Sequence, residues 1–207
     1  SSPWGLSKVP GRLSRSTRKR CAGSLKTKSW NMNLADLRDG DRVFIDANIF
    51  IYHFGGRSVE CKVLLERCAH RALLGYTSTP VLAEVLHRRM VAEAIATGLV
   101  TARTAVRRLA ETPELVKQLT QYQDDVSKIP LMHLTILPHT LDMVQAGAEV
   151  RKRDGLLTND SFVVACMRQQ GLTQLATANG DFDRVDGLII YKPTDLAGPD
   201  PPAHLSV

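Results

Sequence analysis

The sequence predicts an α/β protein, a three-layer α/β/α arrangement around a central, mostly parallel sheet, with an inserted all-helical segment. From Met32 onward, short apolar runs alternate with helical patterns, as they do when strands are joined by helices rather than by hairpins. No strand pattern interrupts Thr101 to Lys128, where the helical pattern runs twice and breaks at Thr112-Pro113.

Val43 to Ala47 reads as the first strand, apolar on both faces as a central parallel strand is. Ser58 caps a helix reaching about Leu74, with Cys61, Leu64, Leu65, Cys68 and Ala72 on one stripe and Gly75 as its stop. Tyr76 to Ser78 is a short strand. Thr79 at the N-cap and Pro80 at the first helical position open the next helix and put Glu84 in its second turn. His133 to Leu137 is a strand, and Leu141 to about Lys152 is a helix ending in the basic turn Arg151-Lys152-Arg153 before Gly155. Thr158 or Asn159 caps a helix that carries Asp160 in its first turn. Gln174 to Thr177 and Leu188 to Tyr191 supply the last strands, and from Pro193 the chain reads as tail. The folded domain is bounded at 32–195, between a basic, disordered tail at 1–31 and a C-terminal tail at 196–207.

A chain of 207 residues with 43% hydrophobic residues fits one domain plus an appendage. The net charge of +6 and pI near 9.3 would suggest a nucleic-acid binder, but the charge is unevenly placed. Residues 1–31 hold eight Lys or Arg and no acid, which leaves 19 basic against 21 acidic residues in 32–207, about −2. Composition therefore does not argue for nucleic-acid binding by the globular part. The tail is rich in Ser, Gly and basic residues without hydrophobic periodicity, so it reads as disordered. It lacks the apolar core of a secretory signal, and only its composition loosely resembles a transit peptide. Met32 opens a plausible domain start, and the tail is given no role. Cys21, Cys61, Cys68 and Cys166 form no CxxC pair, and no run is long enough to span a bilayer. A reduced, cytoplasmic setting without membrane contact is expected.

Four acids stand where an apolar strand ends or a helix begins: Asp46, Glu84, Asp160 and Asp181. In open α/β sheets that edge is where ligands bind. Carboxylates gathered there repel one another unless protons or cations offset them. A cluster of hard oxygen ligands is what Mg²⁺ or Mn²⁺ requires, which points to metal-dependent phosphodiester chemistry. Singly, each acid has a plainer reading. Asp160 suits a helix N-terminus, Asp181 a turn after Gly180, and Glu84 a solvated helix face, although Leu82, Ala83, Val85 and Leu86 surround it in sequence. Asp46 resists such a reading, because an acid ending a buried strand loses hydration unless something binds it.

The segment Ile45-Asp46-Ala47-Asn48-Ile49-Phe50-Ile51-Tyr52, the helix of Glu84, Asn159-Asp160-Ser161-Phe162-Val163-Val164-Ala165, and the run from Thr177 to Gly187 resemble, in order and spacing, the motifs of PIN-domain proteins. The likeness is greatest to VapC-type toxins of type II toxin–antitoxin pairs and covers about 42–195. It implies that Asp46, Glu84, Asp160 and Asp181 hold Mg²⁺ or Mn²⁺, with Thr177 as the accompanying hydroxyl and Asn48 supporting the loop. Thr177 to Asp181 is one residue tighter than in many relatives, which keeps Asn179 and Asp183 as alternatives for the fourth position. Asp183, beside Arg184, reads as solvent-facing. The resemblance further implies an endoribonuclease with an RNA substrate, a cognate antitoxin and a homodimeric assembly.

Other motifs are weaker. Glu84-Val85-Leu86-His87 is half of an HExxH motif, and there is no Gly-rich phosphate loop or GxSxG elbow. Arg88-Arg89, Arg103 with Arg107 and Arg108, and Arg151-Lys152-Arg153 are candidates for RNA phosphates. A phosphoryl-transfer domain of haloacid-dehalogenase or receiver type would use Asp46 as nucleophile. It needs a second acid two residues on, or an acidic pair plus a Lys at a strand end, and Asn48 stands two residues after Asp46. A non-catalytic PIN-like interaction module is the remaining alternative, against which the complete acidic quartet argues.

Overall fold

The computed structural model describes residues 30–196. Six strands form one sheet: β1 (Trp30–Asn33), β2 (Arg42–Ile45), β3 (Leu74–Ser78), β4 (Thr135–Leu137), β5 (Gln174–Ala176) and β6 (Ile189–Lys192). Their spatial order is β1-β6-β5-β2-β3-β4, every neighbour is parallel, and the layers are α/β/α. Two helices, α1 (Ala47–Phe54) and α2 (Val59–Ala69), separate β2 from β3. After β3 come α3 (Thr79–Ala96) and the helical insert α4 (Ala105–Glu111), α5 (Pro113–Val116) and α6 (Gln121–Ser127). Beyond β4, α7 (Leu141–Asp154) and α8 (Thr158–Gln169) pack on one another and return the chain to β5.

Val43, Phe44 and Ile45 of β2 are fully buried, with Phe44 in register with Tyr76 of β3 and Leu175 of β5. From β2 the chain steps outward to β3 and β4, then comes back to the other side of β2 for β5 and β6. The strand order thus reverses between β2 and β5, and a crevice opens at the carboxyl ends of strands at such a switch point.

Several boundaries differ from the sequence expectation. The sheet begins with β1, whose Trp30 and Asn31 were assigned to the tail. This edge strand, Trp30-Asn31-Met32-Asn33, has no apolar run of its own and takes its order from pairing with β6, Trp30 opposite Ile189 and Asn33 opposite Lys192. Residues 1–29 and 197–207 lie outside the described residues. β2 stops at Ile45, and α1, which the sequence reading lacked, starts at Ala47. Ala47 to Tyr52 are all buried, so α1 has no polar face to betray a helical period. α2 ends at Ala69, five residues before Leu74, because Arg71 adopts a left-handed φ of 59° and turns the chain. Gly75 lies inside β3 instead of stopping a helix. A Cβ there would sit 2.4 Å from Leu134 Cδ2 and 2.9 Å from Cys68 Sγ, so the position demands glycine for packing. N-caps shift by one residue at α3 and α8, to Ser78 and Leu157.

The insert has its own small core of Val91, Ala94, Val100, Ala105, Leu109 and Leu119. Glu93 of α3 fastens it, its carboxylate accepting from the backbone N–H groups of Thr120, Gln121 and Tyr122 at 2.8–3.0 Å. Beside it, Arg89 Nη2 lies 2.7 Å from Asp125 Oδ2 in a largely buried pair. Thr194 and Asp195 are likewise not loose tail. The Asp195 carboxylate accepts from Ser58 Oγ at 2.6 Å and from the N–H groups of Val59 and Glu60 at 2.7 and 3.0 Å, closing the N-terminus of α2. Among the described residues, no helix is long and apolar enough to cross a membrane.

Candidate active site

Asp46 follows β2 directly and caps α1. Its Oδ1 accepts from Ala47 N at 2.8 Å, and its Oδ2 accepts from Thr177 Oγ1 at 2.7 Å and Asn48 Nδ2 at 2.8 Å. Thr177, fully buried at the end of β5, accepts from Asn48 Nδ2 at 3.0 Å and from Asn179 N at 2.9 Å. Asn48 Oδ1 in turn accepts from Ala178 N at 3.0 Å. The carboxyl ends of β2 and β5 are thereby laced together at the switch point. Both Asp46 oxygens are engaged, which suits a fixed acceptor rather than the attacking carboxylate of a phosphoryl-transfer domain.

Asn179 extends the lacing outward. Its Nδ2 donates to Asp160 Oδ2 at 3.3 Å, and its Oδ1 accepts from Asp181 N at 2.9 Å. Asp160 is the third residue of α8. The C-terminus of that helix feeds β5 at the amino edge of the sheet, so its N-terminus lies at the carboxyl edge. Glu84 comes from the second turn of α3, where Arg88 Nη1 stands 3.5 Å from its Oε1.

The electrostatics tie the four acids together. Burial pushes the Asp46 carboxyl up against the hydrogen bonds and the Arg88 charge that oppose it. Burial and then the Asp46 charge raise Glu84, with Arg88 opposing. Asp160 is pushed up to about 7, first by burial, then by the charges of Asp46, Asp181 and Glu84, with Asn179 working the other way. The negative charges of the other three therefore all bear on one carboxyl. The Asp181 carboxylate turns onto Arg184 and its side chain is about half exposed (47%). Asp183 does not face solvent as expected, since its Oδ2 accepts from Lys192 Nζ of β6 at 2.7 Å.

A hard divalent cation fits this donor set, for it would offset repulsion among buried carboxylates that lack enough counter-charge. The four carboxylates are not drawn together as a closed site. No group of three or more His, Cys, Asp or Glu is gathered to hold an ion among the described residues. Glu84 is turned onto Arg88 and Asp181 onto Arg184.

The PIN-domain family profile matches residues 43–188, which takes in all four acids and most of the chain. The chain belongs to the PIN-domain family. This PIN domain is 27% identical over 154 residues to a protein named Ribonuclease VapC2 of Methanocaldococcus jannaschii, spanning 73% of this chain and 94% of that one. It is 24% identical over 150 residues to Ribonuclease VapC6 of the same organism, spanning 72% and 96%. Its fold matches the crystal structure of VapBC2 from Rickettsia felis bound to a DNA fragment from their promoter. That match has a TM-score of 0.50 at 20% identity and covers 73% of this chain and 98% of that one.

Two features of the site escaped the sequence reading. Asn179 was weighed as a ligand but is a bridge between Thr177, Asp160 and Asp181. Arg88, one of several basic residues named as candidates for RNA phosphates, is paired with Glu84, a contact its i,i+4 spacing on a helix signals. Most of the other basic candidates are engaged in the fold. Arg89 holds Asp125, Arg151 donates to Ser161 Oγ at 2.8 Å and lies over the Phe162 ring, Arg153 pairs with Asp154, and Arg107 pairs with Glu111. Arg103 and Arg108 lie exposed on the insert.

Proposed function

We propose that this PIN domain is a metal-dependent endoribonuclease, the toxin of a type II toxin–antitoxin pair, which hydrolyses RNA phosphodiester bonds in the cytoplasm. The observation that carries the reading is the hydrogen-bond lacing at the β2/β5 switch point, where Thr177 donates to Asp46 and Asn179 ties Asp160 to the backbone of Asp181. The ribonuclease names of the two archaeal relatives support RNA as the substrate class, and their VapC naming supports a cognate antitoxin as the protein partner.

In this reading Asp46, Glu84, Asp160 and Asp181 hold Mg²⁺ or Mn²⁺. The ion would supply neutralisation of the carboxylates, polarisation of the scissile phosphate and acidification of the attacking water. Thr177 and Asn48 fix the Asp46 Oδ2 lone pairs. Asn179 holds Asp160 by Oδ2, so Oδ1 is the atom assigned to orient the attacking water.

The test is cleavage of a defined RNA by purified protein with and without Mn²⁺, beside Asp46→Asn. Internal cuts are expected only with the ion. The substitution should lower their rate about a hundredfold or more, in keeping with the several kcal/mol that a bound ion contributes. Equal cutting by both proteins, or cutting without an ion, overturns the reading.

A further inference from the structure

One turn after Glu84 on α3, Arg88 places a guanidinium inside the acidic cleft. Only 15% of the Arg88 side chain and 20% of the Glu84 side chain are exposed. Acid first and base four residues later is the favourable order along a helix, and burial spares the pair most salt screening. The Arg88 charge reaches Asp46 as well, where it favours the carboxylate. A guanidinium stays protonated at any working pH, so this positive charge is permanent. Its Nη1 stands 3.5 Å from Glu84 Oε1, and a cation entering the cleft meets its repulsion.

We infer that Arg88 is a resident counter-ion of the acidic cleft, which competes with the divalent ion for Glu84 and gives up that contact when the ion binds. The inference rests on the metal-ion reading above. Arg88 then acts on the reaction by setting how readily the cleft loads, as a positioning residue that need not touch RNA. Neutralising it removes repulsion from the incoming cation while leaving the empty cleft short of positive charge. Affinity for the ion and stability without it therefore move in opposite directions, which loss of an ordinary surface ion pair would not produce.

The measurement is calorimetric titration of the full chain with Mn²⁺ alone, without RNA, for wild type, Arg88→Gln and Arg88→Lys. Arg88→Gln is expected to bind Mn²⁺ about tenfold more tightly, the order of effect of one unit charge at this range, and to melt at a lower temperature without the ion. Arg88→Lys, which keeps the charge, should stay within about twofold of wild type. Mn²⁺ affinity of Arg88→Gln that is unchanged or weaker overturns the inference while leaving the metal reading standing. Absence of Mn²⁺ binding by wild type overturns both. A second measurement needs no variant. The Arg88 guanidinium resonances of wild type, slowed by the ion pair, should revert to those of a free guanidinium as Mg²⁺ is added, and resonances that persist at saturation overturn the exchange.

Discussion

Thr177 commits its hydroxyl wholly to its neighbours, donating to Asp46 and accepting from Asn48 and Asn179. Thr177→Val keeps the shape, leaves Asn179 N without its acceptor and takes one bond each from Asp46 and Asn48, so it should cost about 1–3 kcal/mol in urea unfolding. Under the proposed function it should also slow RNA cleavage at saturating Mn²⁺ with little change in KM, because it disturbs a proposed metal ligand rather than a substrate contact. Asp183→Asn should cleave RNA at close to the wild-type single-turnover rate, since that carboxylate faces Lys192, whereas Asp181→Asn should be strongly impaired. The reverse pattern would move the fourth ligand to Asp183. The four acids stood out in the sequence because Asp46 and Glu84 interrupt apolar runs and Asp160 and Asp181 sit at a helix start and in the turn after a strand. The bridging role of Asn179 was not, because it depends on how α8 meets the loop after β5.

The helical insert is secured by few groups. Asp125 lies largely buried and accepts from Arg89 Nε and Nη2 at 3.0 and 2.7 Å and from Gln121 Nε2 at 3.1 Å. Asp125→Ala leaves the Arg89 charge uncompensated in a largely buried place and should cost about 3–5 kcal/mol. Hydrogen exchange should show the loss in α6 first, with β2 amides retaining their protection. At the other end of the chain, Asp195→Ala removes the acceptor at the start of α2 and should cost about 1 kcal/mol at neutral pH. The element types were readable from alternation and breakers, which is why β2, α2 and α7 were placed. α1 and β1 were not readable, since a helix buried on every side has no period and an edge strand built of Asn and Met has no apolar run.

For the whole molecule, the carboxyls have opposite linkages to pH. Hydrogen bonds from Ser58, Val59 and Glu60 hold the folded Asp195 below its ordinary 3.8, so its contribution is present above that value and lost as pH falls through the folded pKa. Asp160 is raised, so between 3.8 and about 7 the folded chain binds more protons than the unfolded one. Its contribution to stability falls as pH climbs through that window. The metal-free protein should therefore lose melting temperature between about pH 4 and 7, and Asp160→Asn should flatten much of that slope. Mn²⁺ at about a hundred times its dissociation constant should restore roughly 2–3 kcal/mol at the upper pH, seen by calorimetry. Six-strand connectivity is the level at which the sequence was least informative. Alternating elements specify a parallel α/β class, but the return of β5 to the inner side of β2 is set by packing and register.

The return of β5 also governs when the site can first be assembled during synthesis. Asp46 and Thr177 are 131 residues apart in the chain. At about 5–20 residues per second, translation takes roughly 7–26 s to pass from one to the other. Once residue 84 is made the nascent chain carries Asp46 and Glu84 but no β5 to close the sheet beside them, and Asp160 appears only near the end of the interval. The four acids thus stand together at one sheet edge only once β5 has been made. Under the proposed function, a chain released anywhere before β5 should cut no RNA.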